Sequence, residues 1–183
     1  MTAGRRSVST NKHWCTPPDI VESVRRCFGG AIALDPCSNA HSRVGAETEY
    51  RLPETDGLTA TWCHPTIFVN PPYGRDPERG SRILHWFSRI DDAAERGSAV
   101  IALVPVATNT EHWKRYVYPR ARSICFLFAT RLRFYIDGSE DPRGAPMSCA
   151  AIYWGPDDAV FAEEFSSHGA VVSLAGVQVP GCR

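Results

Sequence analysis

Lysine is almost missing from this chain: of 20 basic residues only Lys12 and Lys114 are lysine, and the rest are arginine. Excess charge of either sign is missing too, because Lys+Arg and Asp+Glu are both 20 and the formal net charge is zero. That balance excludes a basic nucleic-acid tail or an acidic solvating tail as the main feature. No apolar run approaches the roughly 18 residues of a membrane helix, and MTAGRRSVSTNKHW has no signal-peptide core. The expectation is a cytoplasmic protein that does not enter a membrane. Its seven cysteines (Cys15, Cys27, Cys37, Cys63, Cys125, Cys149, Cys182) contain no CxxC pair and are odd in number. They read as intracellular thiols, with neither a disulfide framework nor a structural metal. Repeats and low-complexity blocks are absent as well. The 183 residues suffice for one domain with a sizeable core and leave no room for a second.

The expected organisation is a flexible arm over 1–12 and a single domain over 13–180. A helix follows Trp14-Cys15-Thr16-Pro17-Pro18, with Thr16 as its expected N-cap, apolar positions Ile20, Val21, Val24 and Phe28, and a stop at Gly29-Gly30. Ala31–Leu34 reads as a buried strand ending at Asp35. Residues 36–60 read as loop-rich, with room for one short helix. Ile67-Phe68-Val69 is the next strand, followed by a helix over 80–96 and the continuously apolar strand Ser98–Pro105. A helix over Thr110–Tyr116 precedes strands at Ser123–Phe128, Arg131–Ile136 and Ser148–Trp154, with a turn at Asp137-Gly138. Strands alternating with helices, then hairpin-like strands, predict an α/β fold whose sheet is parallel at first and antiparallel at one edge.

The chemistry concentrates at Asn70-Pro71-Pro72-Tyr73, just past the carboxyl end of a predicted buried strand, where open α/β sheets bind ligands. The two prolines fix an extended backbone and remove two amide donors. What is left is a rigid pair of acceptors, the Asn70 side-chain oxygen and the Pro71 carbonyl, which suits a planar NH2 group with two protons to donate. Tyr73 supplies a ring to stack on a planar substrate, worth about 1–3 kcal/mol per base. Methyl transfer to an exocyclic amine needs this arrangement. Held acceptors let the nitrogen become tetrahedral as it attacks, and they stabilise the positive charge that develops.

Trp14-Cys15-Thr16-Pro17, Leu34-Asp35, Asp56-Gly57-Leu58, Trp62 and Asn70-Pro71-Pro72-Tyr73 follow one another in the order found in amino-methylating DNA methyltransferases. Together they resemble the short phage-type DNA N6-adenine methyltransferase (Dam) family over residues 13 to 155. The resemblance implies a compact, Rossmann-like, mixed-sheet methyltransferase fold that uses S-adenosylmethionine, with DNA as partner and adenine N6 as acceptor. It implies catalytic roles for Asn70, Pro71, Pro72 and Tyr73. It further implies that Thr16 and Pro17 pack on the methionine end of the cofactor, that Asp35 approaches the methionine moiety, and that Asp56 accepts from the cofactor adenine, with Asn70 also at the cofactor. One departure stands out: Asp35-Pro36-Cys37-Ser38-Asn39 lacks the usual glycine-rich loop. Glu47 and Glu49 both remain open as the ribose-binding acid.

A base in a duplex must be flipped out to present its amine, at a cost of a few kcal/mol. Arg75, Arg79 and Arg82 after the site, and Arg131 and Arg133 interleaved with Leu132 and Phe134, are the candidate phosphate contacts. Residues 137–147 form a candidate insertion, and Thr108–Trp113 a candidate wall of the base pocket. Two other readings share the scaffold. One is RNA-amine or protein-glutamine methylation, which offers the same planar NH2. The other is a cofactor-free DNA-binding or decoy protein, which the missing glycines would suit.

Overall fold

The computed structural model describes residues 14–76, 80–128, 131–136 and 139–177. The expected 1–12 arm, Arg79 and the Asp137-Gly138 turn lie outside them. Three helices, α1 (Pro18–Cys27), α2 (Ile83–Glu95) and α3 (Ala159–Phe165), flank a sheet. Its strands are β1 (Leu34–Asp35), β2 (Thr48–Glu49), β3 (Thr66–Val69), β4 (Ala99–Pro105), β5 (Ser123–Leu127), β8 (Cys149–Trp154) and β9 (Gly169–Ser173). A small hairpin, β6 (Tyr135–Ile136) with β7 (Ser139–Glu140), stands apart. The sheet order is β2-β1-β3-β4-β8-β5-β9. The first four strands are mutually parallel, and β8 runs antiparallel to both β4 and β5. Hence β5 points the same way as the first four, and β9 opposes it.

Alternation along the strands divides the core into two layers. On β4, Val100, Ala102 and Val104 face α2, packing with Trp86, Phe87 and Ile90, while Ile101 and Leu103 face α1 and α3, packing with Ile20, Val21, Phe161 and Phe165. β8 does the same, with Ala150, Ile152 and Trp154 on the α2 side and Ala151 and Tyr153 on the other. Both faces are thus covered, which is why β4 reads as an unbroken apolar run. Among the described residues no helix is long and apolar enough to cross a membrane.

Several expected elements change. Thr16 does not cap α1: Pro17 occupies the N-cap, and no side chain caps the helix. The Thr16 hydroxyl is drawn instead toward the site. The strand expected at 31–34 is regular only at Leu34–Asp35, although the Ile32 and Ala33 carbonyls still accept from the Glu47 and Thr48 N–H groups. The region 36–60 contributes strand β2 and no helix. The helix expected over 110–116 is present but wound wide: its body, Trp113–Val117, is π-helical, with Tyr118 N–H on the Trp113 carbonyl, five residues back. Of 131–136 only Tyr135–Ile136 is strand. Beyond Trp154 the chain adds α3 and β9, for which no expectation was set.

One close approach governs how the loop after β2 returns to the sheet. A Cβ placed on Gly57 would meet the Pro36 carbonyl oxygen at 1.7 Å. The turn at Asp56–Leu58 therefore lies directly on the end of β1. Trp62, fully buried, holds it there by donating from Nε1 to the Gly57 carbonyl at 2.8 Å. Gly57→Ala should destabilise the fold by about 1–3 kcal/mol, as overpacking does, measured as a lower urea midpoint at unchanged slope.

Candidate active site

Asp35 and Asn70 come to the same edge of the sheet because β1 and β3 are neighbours in parallel register, Leu34 opposite Ile67. Asp35 ends β1, and Asn70 follows the last residue of β3. Both stand at the carboxyl edge of the sheet. Glu49 joins them from β2, directly opposite Asp35.

The Asn70 amide is held from two sides. Its Nδ2 donates to Thr16 Oγ1 at 3.1 Å, and its Oδ1 accepts from the Tyr73 hydroxyl at 3.1 Å. Thr16 comes from the segment before α1, fifty-four residues away in sequence. The Tyr73 hydroxyl also lies 3.2 Å from the Leu103 carbonyl on β4. With one proton to give, it serves one of these acceptors at a time, so the second lone pair of Asn70 Oδ1 remains usable. No described group donates to the Pro71 carbonyl, which leaves it an open acceptor beside Asn70. Pro71 is buried and Pro72 exposed.

Tyr73 is half-buried, its ring edge-on to Trp14 (6.2 Å between centroids) and Phe134 (6.0 Å). Trp14 and Phe134 stack at 5.1 Å. Burial, then the neighbouring Cys149 thiol, pushes the phenol well above its ordinary value, so it stays a neutral donor. The aromatic trio went unread because its members lie far apart in sequence. The pairing of Cys15 with Tyr135 brings Phe134 to Trp14.

Asp35 is buried, at 3% exposure. Its Oδ1 accepts from the Cys37 N–H at 3.1 Å, and Ser42 Oγ stands at 3.5 Å from Oδ2. Burial pushes its carboxyl up to about 7. The Cys37 N–H opposes this, and the nearby charge of Glu49 adds to it. No cationic side chain is among the groups acting on it. The Cys37 thiol sits between Asp35 and the Asn70 backbone N–H, and burial raises it well above its ordinary value. Neither thiol of the site is a thiolate.

The other candidates scatter. Asp56 Oδ1 accepts from Leu58 N–H at 2.9 Å, capping its own turn one close contact away from the end of β1. Glu49 is half-buried beside Asp35 and pairs with Arg51, whereas Glu47 is exposed before the strand. Pro17 lines a groove of about 760 Å³ together with Arg131, Arg133, Arg143, Tyr135 and Glu140. Arg133 pairs with Glu140 at 2.8 Å, and Arg143 pairs with Asp141 at 3.1 Å. Arg75 and Arg82 are exposed on the chain that leaves the tetrapeptide. Trp113 is fully buried and His112 packs 4.9 Å from Phe87, so this part of the 108–113 segment belongs to the core rather than to a pocket wall.

The raised Asp35 carboxyl carries a stability consequence. The folded chain holds this proton up to about pH 7, the unfolded chain only to about pH 4. Folding stability from this group is therefore full below pH 4, falls as pH rises to 7, and is flat above. Asp35→Asn keeps the acceptor for Cys37 and removes the charge. It should melt higher than the parent at pH 8 and equal to it at pH 4, read by thermal denaturation across that range.

No curated protein matches the chain. The sequence model of the DNA N-6-adenine-methyltransferase (Dam) family does match it, over residues 5–167, an interval that takes in every strand but the last and the whole of the site. The chain is accordingly a member of the DNA N-6-adenine-methyltransferase (Dam) family.

Proposed function

We propose that this chain transfers the methyl group of S-adenosylmethionine to the exocyclic N6 amine of adenine in DNA. The observation that carries the proposal is the Asn70 amide, anchored by two hydroxyls beside the open Pro71 carbonyl at the carboxyl edge of the parallel strands. The sheet supports a Rossmann-like methyltransferase fold in a compact version, with one catalytic domain over 13–180. The donor set fits the cofactor. Asp35 is a buried carboxyl with no cationic partner among the described residues, which suits the ammonium of a methionine moiety. Glu49, opposite Asp35 at the end of β2, suits a ribose diol better than the exposed Glu47. Thr16 and Pro17 would take the methionine carboxylate end, and Asp56 the adenine amine.

When bound, the cofactor supplies a methyl group on a positively charged sulfur. Asn70 Oδ1 and the Pro71 carbonyl accept the two N–H protons of the substrate amine. This fixes its nitrogen and favours the tetrahedral form in which the lone pair leaves the ring. Thr16, Pro17, Asp35 and Asp56 would hold the cofactor so that this methyl is offered to the nitrogen lone pair, with the C–S bonding pair leaving on sulfur. The nitrogen then sheds one proton to water. Both acceptors gain strength as positive charge grows on nitrogen, so they act on the transition state more than on the ground state. The half-buried Tyr73 ring offers a face for the flipped base.

Asn70→Ala should lower the single-turnover methylation rate roughly 10²–10³-fold, the cost of one preorganised polar contact, with an unchanged circular dichroism spectrum and cofactor affinity within a few-fold. Full activity in that variant sinks the mechanism. Calorimetry with S-adenosylmethionine separates this function from a cofactor-free decoy, which would give no heat.

Arg75, and Arg131 and Arg133 at the groove beside Pro17, supply the proposed phosphate contacts. Replacing Arg75 or Arg131 by Ala should weaken binding evenly across DNA sequences and reduce the logarithmic salt slope by about one, as read by fluorescence anisotropy over a salt series.

A further inference from the structure

Thr16 has one hydroxyl proton and two lone pairs, and it faces an amide that can present either an N–H or an oxygen. In the structure its oxygen accepts from Asn70 Nδ2 at 3.1 Å. Thr16 itself is 2% exposed, and no described residue accepts its hydroxyl proton. The Tyr73 hydroxyl, on the other side of the amide, does not choose between the two orientations. It can donate to Asn70 Oδ1, or donate to the Leu103 carbonyl and accept from an N–H. The orientation of the catalytic amide is therefore decided by where the Thr16 proton goes.

We infer that Thr16 is a positioning residue that couples cofactor occupancy to the orientation of the Asn70 amide. The inference rests on the methyltransferase reading above, in which Thr16 faces the cofactor carboxylate. A carboxylate takes the Thr16 proton. Only lone pairs then face Asn70, so Nδ2 must be the atom toward Thr16 and Oδ1 the atom toward the substrate amine. Without the carboxylate, Thr16 can donate to Oδ1, and the flipped amide presents an N–H to the amine, which repels it. The acceptor needed for methyl transfer is thus fully formed only when the methyl donor is in place. By reciprocity, a substrate amine engaged with Oδ1 strengthens the cofactor's hold.

The test uses the full chain, the product S-adenosylhomocysteine as probe, and three forms: parent, Thr16→Ser, which keeps the hydroxyl, and Thr16→Val, which keeps the shape. In chains labelled with 15N-asparagine, the Asn70 side-chain NH2 pair is identified by its loss in Asn70→Ala. It should shift and exchange more slowly with solvent on binding the probe in the parent and in Thr16→Ser, but not in Thr16→Val. The affinity for an adenine-containing oligonucleotide should rise several-fold with the probe in the first two and stay unchanged in the third. At saturating cofactor, kcat of Thr16→Val should fall about ten- to a hundredfold, the cost of a misplaced reacting group, with Thr16→Ser close to the parent. A role confined to packing predicts the reverse order, Val above Ser. A role confined to cofactor binding changes KM for the cofactor and leaves kcat alone. Either result overturns the inference, as does an Asn70 signal in Thr16→Val that responds to the probe like the parent's, and in each case the methyltransferase function stands. A parent chain that gives no heat with the probe overturns the function, and the inference with it. If Thr16→Val does not fold, the parent alone decides: slower Asn70 NH2 exchange on probe binding supports the coupling, and unchanged exchange overturns it.

Discussion

Leu34 of β1 lies opposite Ile67 of β3, both fully buried, and the site depends on that pairing. Because the two strands are parallel, their carboxyl ends fall at the same edge. Asp35 and Asn70 then both stand at that edge, with Cys37 between them in contact with each. β2 extends the same logic by one strand and sets Glu49 opposite Asp35. Parallel neighbours need long crossovers, and the long apolar β4 and helix α2 carry the crossover that ties this edge to the rest of the core. A slip of one residue in β1 would put the Asp35 carboxyl where Leu34 sits in the apolar core on the α2 side, so the hydrophobic pattern also fixes the position of the carboxyl.

The edge is then completed by segments that cross it from outside the sheet. Thr16 arrives from before α1 and takes the Asn70 amide by its nitrogen. Tyr73 folds back and reaches the same amide at its oxygen. The Asp56–Leu58 turn closes on the Pro36 carbonyl, and it can come so close only because Gly57 has no side chain. Trp62 fixes that turn from beneath. The tryptophan and the glycine of the motif thus have structural work: they press a carboxylate-bearing turn against the end of β1. The absence of a glycine-rich loop after β1 belongs to the same economy. The chain turns at Asp35–Pro36 with the Cys37 N–H on the carboxylate, and it runs directly into β2 without a helix.

Much of this was legible in the sequence. α1, β3, α2, β4, β5 and β8 follow from periodicity and from unbroken apolar runs, since each buries a face that the pattern marks. The lack of backbone donors at Pro71 and Pro72 follows from proline itself, which has no N–H wherever it sits. Other features were not legible. β2 is two residues of mixed polarity, β9 is half-exposed, and α3 is a single short amphipathic stretch, so none announces itself locally. Thr16 read as a helix cap because Ser and Thr favour that position, but a hydroxyl two residues ahead of a helix that begins with proline has a competing partner in space. The choice between Glu47 and Glu49 also required the sheet. Glu49 ends β2 opposite Asp35, whereas Glu47 lies exposed before that strand begins.

The sequence by itself determined the chemical inventory: a side-chain amide followed by two prolines that carry no N–H, a carboxyl at a strand end, and arginine in place of lysine. Residue type settles these, because donors, acceptors and backbone restrictions are properties of the side chains. Tertiary structure alone decided who meets whom. Asn70 joins Thr16, Trp14 joins Phe134 and Tyr73, and Gly57 joins Pro36 only once the sheet has assembled. These contacts span loops that no local pattern encodes. The state of Asp35 was decided there too. An aspartate is ionised in water at neutral pH, and burial at the end of β1 without a cation beside it raises its carboxyl to about 7.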